Sequence, residues 1–189
     1  MQRKVALITG SAKGLGKMTA LRLAEMGADV VINYNHSEKE AEHLVEQITL
    51  TGARALAVRA DISRREELEK MVETIRRTFG GIDILVNNAG PFIRERRMFF
   101  DYSADEINYL IHANLLAVMH LDHMVLGHMR EKKWGRIIHF GFAHSAEARG
   151  WPHRAVYAAA KVGLVSFTKT LAVEEAENGI TVNMVCPGD

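Results

Sequence analysis

Tyr157 and Lys161 stand one helical turn apart in Tyr157-Ala158-Ala159-Ala160-Lys161, so a helix over this alanine-rich run presents both on one face. A free phenol titrates at about pH 10 and is a poor proton donor or acceptor at neutrality. A nearby ammonium favours the phenolate and lowers that value, which suits general acid–base work. The same spacing is common on helix surfaces, and its weight here comes from two other fragments. Thr9-Gly10-Ser11-Ala12-Lys13-Gly14-Leu15-Gly16 follows an apolar run and opens an amphipathic one; Asn87-Asn88-Ala89-Gly90 closes another apolar run. A strand that ends in Gly10 and restarts as a helix after Gly16 turns backbone amides and a helix pole of about half a positive charge toward a pyrophosphate. A tight strand-to-helix corner is the plainer alternative.

These fragments need a scaffold, and short β-branched runs alternating with longer amphipathic stretches predict βαβ units around a parallel sheet. Strands are predicted at Val5–Thr9, Asp29–Asn33, Ala53–Arg59, Ile84–Asn87, Arg136–Phe140 and Thr181–Cys186. Their near-continuous apolar content predicts helices on both faces of the sheet. Capping boxes are predicted at Ser63–Glu66 and Ser103–Glu106, and Gly52 and Gly80 are predicted helix stops. No Pro/Gly/Ser-rich linker or internal repeat interrupts the series. The expectation is one doubly wound α/β domain over residues 1–189, with its ligand crevice at the carboxyl ends of the strands.

Composition narrows the partners. Lys+Arg 24 against Asp+Glu 23 gives a net charge of +1, which offers neither a basic face for nucleic acid nor an acidic tail. The single Cys186 excludes an internal disulfide and predicts a buried small hydrophobe in a reducing compartment. Met1-Gln2-Arg3-Lys4 leads into an apolar run too short for a signal peptide, and no run approaches the roughly 18 apolar residues of a membrane span. A cytoplasmic protein is expected.

The glycine turn, Asn87-Asn88-Ala89-Gly90 and Tyr157/Lys161 together resemble the short-chain dehydrogenase/reductase family from Val5 to Gly188, with its 3-oxoacyl-carrier-protein reductase, glucose dehydrogenase and pteridine reductase branches. The resemblance implies a Rossmann fold, a nicotinamide dinucleotide, a small-molecule carbonyl or alcohol substrate, and a homo-oligomer, dimer or tetramer. It places Asp61 and Ile62 beside the adenine, Asn88, Ala89 and Gly90 beside the adenosine ribose, and Pro187 and Gly188 beside the nicotinamide. It casts Tyr157 as proton donor, Lys161 as its tuner and ribose ligand, and Asn114 as the residue that opens its helix for a water and completes a relay to Lys161. Family members continue beyond the equivalent of Asp189, so the chain is expected to be incomplete there, without the final strand. Leu115, Val118, Leu164 and Phe167 are candidate subunit contacts, with core packing as the alternative.

Cofactor choice turns on the end of the second strand, where NAD enzymes place an acid about 20 residues beyond the glycines. Here Ile32-Asn33-Tyr34-Asn35-His36 carries none, and Lys13 is basic directly before Gly14. NADP(H) is expected, contacted by Gly10, Ser11, Lys13, Gly14, Leu15, Gly16, Asn35 and His36. The alternative is a solvated Lys13 and use of NAD(H) as well. One family residue is missing: the serine after the fifth strand that hydrogen-bonds the substrate carbonyl aligns with Phe142. The following loop is longer than in close relatives, and either Ser145 or His144 is a candidate replacement. His120, His123 and His128 share a helix, but no completing ligand set predicts a metal. The rival reading is a nucleotide-binding relative without catalysis, for which Phe142 is the main argument.

Overall fold

Six Val-, Ile- and Leu-rich runs form the strands β1 Val5–Ile8, β2 Asp29–Tyr34, β3 Ala55–Arg59, β4 Ile84–Asn87, β5 Gly135–Phe140 and β6 Ile180–Val185 in a computed structural model that describes residues 3–188. Readings that touch Met1, Gln2 and Asp189 lie outside the described residues. The strands are all parallel in the order β3-β2-β1-β4-β5-β6, with Leu7 paired to Val31 on one side and Leu85 on the other. Sheet growth reverses direction at β1, so a crevice opens beyond the carboxyl ends of β1 and β4. Boundaries shift slightly from expectation. Thr9 and Cys186 lie outside their strands, and β3 begins at Ala55 rather than Ala53.

Alternation along the strands divides the core in two. Leu7, Val31, Leu85, Ile137 and Val182 face α3 (Arg65–Phe79), α5 (Ala117–Lys132) and α6 (Ala155–Glu174), meeting Met71, Val125 and Leu171. Ala6, Ile8, Val30, Ile32 and Val86 face α1 (Gly14–Glu25) and α2 (Glu38–Thr49), meeting Ala20, Leu44 and Ile48. Each such side chain, fully buried, adds about 1.5–3 kcal/mol. Helices cover both faces as expected, though unevenly. On the α1–α2 side, α1 and α2 pack on β1, β2 and β3; Ile138 and Phe140 of β5 are half-buried and Val185 of β6 is exposed.

The box at the start of α4 (Ala104–Ile111) forms as predicted: the Glu106 amide donates to Ser103 Oγ at 3.2 Å and the Ser103 amide to the Glu106 carboxylate at 3.0 Å. The box at Ser63 does not. Asp61 captures Ser63, whose amide and hydroxyl donate to Oδ1 at 2.9 and 2.7 Å, and Glu67 rather than Glu66 reaches back, accepting from the Asp61 amide at 2.8 Å. A carboxylate two residues upstream outcompetes the capping geometry, so α3 starts at Arg65. Gly80 ends α3 at φ +92°, whereas Gly52 lies beyond the end of α2 at Thr49.

Two expectations turn on burial. Val118 and Leu164 are core residues at 3% and 0% exposure, and the exposed apolar side chains on these helices are Tyr109, Leu116 and Val173. The helical stretches Ala104–Lys132 and Ala155–Glu174 are each long and apolar enough to cross a membrane, contrary to the reading that no run approaches a span, yet α5 and α6 within them pack on the sheet. At the amino end of β5, Trp134 sits between Lys4 and Arg136, whose cationic groups lie 3.9 and 4.5 Å from its rings.

Candidate active site

The glycine turn is stitched into the crevice from three strands. Gly10 and Gly14 hold φ of +61° and +59°, and a Cβ on Gly16 would come within 2.7 Å of Asn88 Nδ2 and 2.8 Å of the Gly10 carbonyl. Backbone conformation dictates the first two glycines, and packing dictates the third. The Asn88 side chain donates to the Thr9 and Gly10 carbonyls at 2.9 and 3.2 Å, while Thr9 Oγ1 accepts from the Asn88 and Ala89 amides. Ser11 is fully buried and its hydroxyl donates to the Ile8 carbonyl at 2.7 Å, so that side chain braces the turn. Leu15 is exposed at the start of α1.

Asn33 is a residue that sequence reading passed over. Its Oδ1 accepts from the Gly10 amide at 3.1 Å and its Nδ2 donates to the Ala60 carbonyl at 3.0 Å, tying the ends of β1, β2 and β3 together. Only the buried position of a polar residue at a strand end could have signalled it. Asn35 and Ile62 are half-buried and His36 exposed along the same rim. Burial raises the Asp61 carboxyl, but hydrogen bonds from Ser63 and Asn35 and the Arg64 charge outweigh it and hold it below the ordinary value. Lys13 Nζ pairs with Glu40 Oε1 at 2.6 Å on the rim of an open cavity of about 510 Å³ that Lys17, Lys39 and His43 also line.

On the other side of the crevice α6 carries Tyr157 and Lys161, with Lys161 Nζ 5.7 Å from the phenol ring centre. Burial dominates both. It raises the phenol and lowers the ammonium to about 8, so the expected lowering of the phenol by Lys161 does not emerge from these side chains alone. Asn114 lies in a π-helical turn, His112–Leu116, between α4 and α5. Its Nδ2 donates to the Leu110 carbonyl, the acceptor that its own amide would use in an α-helix, and to the Pro91 carbonyl, each at 3.0 Å. Its buried Oδ1 has no partner. A Cβ on Gly90 would collide with that oxygen and stand 3.6 Å from Lys161 Nζ, so the missing side chain keeps open the space between them.

A model of short chain dehydrogenases matches residues 4–189. The chain belongs to the short-chain dehydrogenase family. YtkK of Bacillus subtilis (strain 168), provisionally named an oxidoreductase, is 46% identical over 184 residues, covering 97% of this chain and 72% of that protein. A 3-oxoacyl-[acyl-carrier-protein] reductase from Synechocystis sp. (strain ATCC 27184 / PCC 6803 / Kazusa) is 40% identical over 185 residues, 98% of this chain and 73% of that one. Among solved structures, one from Bacillus thuringiensis, provisionally described as a 3-oxoacyl-reductase, superposes with TM-score 0.95 at 47% identity, covering 99% of this chain and 77% of that one. Short-chain dehydrogenases use a nicotinamide dinucleotide, and the residues fit one: a glycine cradle that a Cβ would fill, and an orphaned Asn114 oxygen beside Lys161.

Above Tyr157 stands Phe142, the residue read as standing at the position of the expected serine. Phe142 is buried against Trp151, ring centres 4.7 Å apart, and lies 6.1 Å from the Tyr157 ring. Ser145 is also buried, its hydroxyl 3.2 Å from Cys186 Sγ and beneath Gly141. Cys186 is therefore half-buried and polar-bonded rather than the buried hydrophobe expected. His144, at φ +64°, pairs with Glu147 at 3.0 Å. Pro187 lines the same cavity as Phe142, and Gly188 is exposed.

Beneath the crevice lies a buried polar chain that was not legible as such. Asn87 Nδ2 donates to Asp122 Oδ1, Asp122 Oδ2 meets His139 Nε2, and His139 Nδ1 meets Thr168 Oγ1, all at 2.8 Å. It joins β4, α5, β5 and the helix of Tyr157. Burial pushes the Asp122 carboxyl up, while the His139 and Asn87 hydrogen bonds oppose the rise. The helical histidines diverge: His128 faces Asp83 at 3.5 Å, His120 lies 6.4 Å from the His112 ring, and His123 is exposed.

Proposed function

We propose that this short-chain dehydrogenase interconverts a carbonyl and an alcohol with NADP(H), as a single cytoplasmic Rossmann domain that self-associates. The observation that carries this is the grouping of Tyr157, Lys161 and the unpartnered Asn114 oxygen around the space left by Gly90. When bound, the nicotinamide supplies or accepts the hydride. Tyr157 passes a proton between its phenol oxygen and the substrate oxygen. Lys161 binds the cofactor ribose and stabilises the phenolate, and a water bridging Asn114 Oδ1 and Lys161 Nζ returns the proton. Gly10 to Gly16 offer backbone amides to the pyrophosphate, with Ser11 bracing the turn; Asp61, Ile62, Asn88, Ala89 and Gly90 border the adenosine, and Pro187 and Gly188 the nicotinamide.

The acid-free end of β2 and the cluster Lys13, Lys17 and Lys39 support NADP(H) over NAD(H), with Asn35 and His36 on the rim. Exposed Tyr109 and Leu116 support a subunit contact through α4 and the π turn. Tyr157→Phe is expected to leave the Kd for NADPH nearly unchanged and to remove most carbonyl reduction. Wild-type turnover by that variant refutes the mechanism.

Phe142 and the commitment of Ser145 to Cys186 favour a second reading, a nucleotide-binding protein without turnover. Loss of one carbonyl donor costs roughly 10²–10³ in rate, so the first reading survives its absence. Nucleotide binding without NADPH oxidation by wild type or Phe142→Ser, across ketones, acyl thioesters, sugars and pterins, establishes the second.

A further inference from the structure

The position that would carry a hydrogen-bond donor carries a ring, and that ring is one of several. Phe92, Phe142 and Trp151 surround Tyr157. Phe92 lies 5.0 Å from the Tyr157 ring, edge to face, and Trp151 lies 6.1 Å from it in the same relation. Phe92 and Trp151 are themselves 5.9 Å apart. Phe142 and Trp151 wall a cavity of about 280 Å³ that Pro187 closes at the end of β6. That volume falls just below the range of ligand pockets, about 300–1,000 Å³.

The rings are held rather than loosely draped. The Arg154 guanidinium lies 5.1 Å over Phe92, and it donates to the Arg94 and Glu95 carbonyls at 2.7 and 2.6 Å, which fixes the Phe92 loop on α6. The charged groups of the cavity wall are already matched. Glu147 meets His144 at 3.0 Å and Arg149 at 3.3 Å, in exposed pairs. A ring-lined cavity selects by shape and by π-face contact, because offset and edge-to-face aromatic pairs gain energy beyond their buried area.

We propose that the substrate is a small planar ring ketone whose ring stacks on Trp151, which Phe142 backs, beside Tyr157, orientation by stacking taking the place of the missing hydroxyl donor. The inference rests on reading Tyr157 as the proton-transfer residue. It names the substrate class as flat, fused aromatic ketones, ahead of linear 3-oxoacyl thioesters and saturated ring ketones.

The test is isothermal titration calorimetry on the full chain, saturated in turn with NADP⁺ and NAD⁺, with 2-tetralone, its saturated counterpart 2-decalone, and acetoacetyl-N-acetylcysteamine. Expected is 2-tetralone binding at least tenfold tighter than either of the others. Trp151→Ala should weaken 2-tetralone at least tenfold without changing the nucleotide Kd, and Trp151→Phe, which keeps a π face, should restore most of that loss. Equal affinity for 2-tetralone and 2-decalone, tighter thioester binding, or a silent Trp151→Ala overturns the proposal. Failure of the underlying reading is seen separately, as absence of nucleotide binding or as turnover by Tyr157→Phe.

Discussion

Lys161 sits almost wholly inside the protein, with no carboxylate within ion-pair distance among the described residues. Burial alone brings its pKa to about 8 from an ordinary 10.5. Below pH 8 the residue is charged in both folded and unfolded chains, and holding the desolvated charge costs about 1–3 kcal/mol. Between 8 and 10.5 the unfolded chain keeps a proton that the folded chain has released, so stability against unfolding rises with pH across that window. Lys161→Met, which keeps the bulk and removes the charge, should therefore raise Tm at pH 7 by about 2–8 °C while abolishing reduction. The Tm gain should shrink toward pH 10.5, and a scanning calorimetry series that finds it constant with pH contradicts this account. Lys13, the exposed basic residue on the opposite rim, behaves more mildly. Because Glu40 competes for Lys13, Glu40→Gln should tighten NADPH about two- to fivefold, as expected for an exposed ion pair, and leave NADH unchanged in parallel fluorescence titrations.

Among the elements, β5 is held by its own interior. His139 is the middle of the Asn87–Asp122–His139–Thr168 chain, and removing one member leaves its buried hydrogen-bonding partners unsatisfied. His139→Leu and Asp122→Leu should each lower stability by about 1–3 kcal/mol, while the double variant should lose clearly less than their sum. Additive losses in urea unfolding would mean that the two side chains do not interact.

The same elements mark what the sequence could convey. β1, β2, β4 and the Tyr157 helix were legible because local apolar patterning and long-range packing agree there. The glycine turn was legible because glycine adopts φ near +60°, as at Gly10 and Gly14, with no steric cost. The slipped cap at Ser63, the tie at Asn33 and the chain through His139 were not, because each depends on partners brought in from other segments. For Val118 and Leu164 the alternatives of subunit contact and core packing stayed open for the same reason, and the core holds both: apolar periodicity does not say which side of a helix meets the sheet. Cysteine failed in a smaller way, since Cys186 takes a polar neighbour that only the fold supplies.

At the scale of the whole molecule, the two tryptophans lie at opposite ends of β5. Trp134 stands before its first residue, flanked by Lys4 and Arg136, and Trp151 lies in the loop beyond its carboxyl end, in the aromatic cluster over Tyr157. Six residues of parallel strand extend about 20 Å, far enough for the two indoles to have separate surroundings. The molecule thus carries a spectroscopic reference at one pole and a reporter at the other. A ligand entering the crevice should change the emission of Trp151 and leave that of Trp134 in place, so Trp151→Phe should abolish the ligand-induced change and Trp134→Phe should preserve it. Emission changes that survive Trp151→Phe at full size would locate the binding event elsewhere.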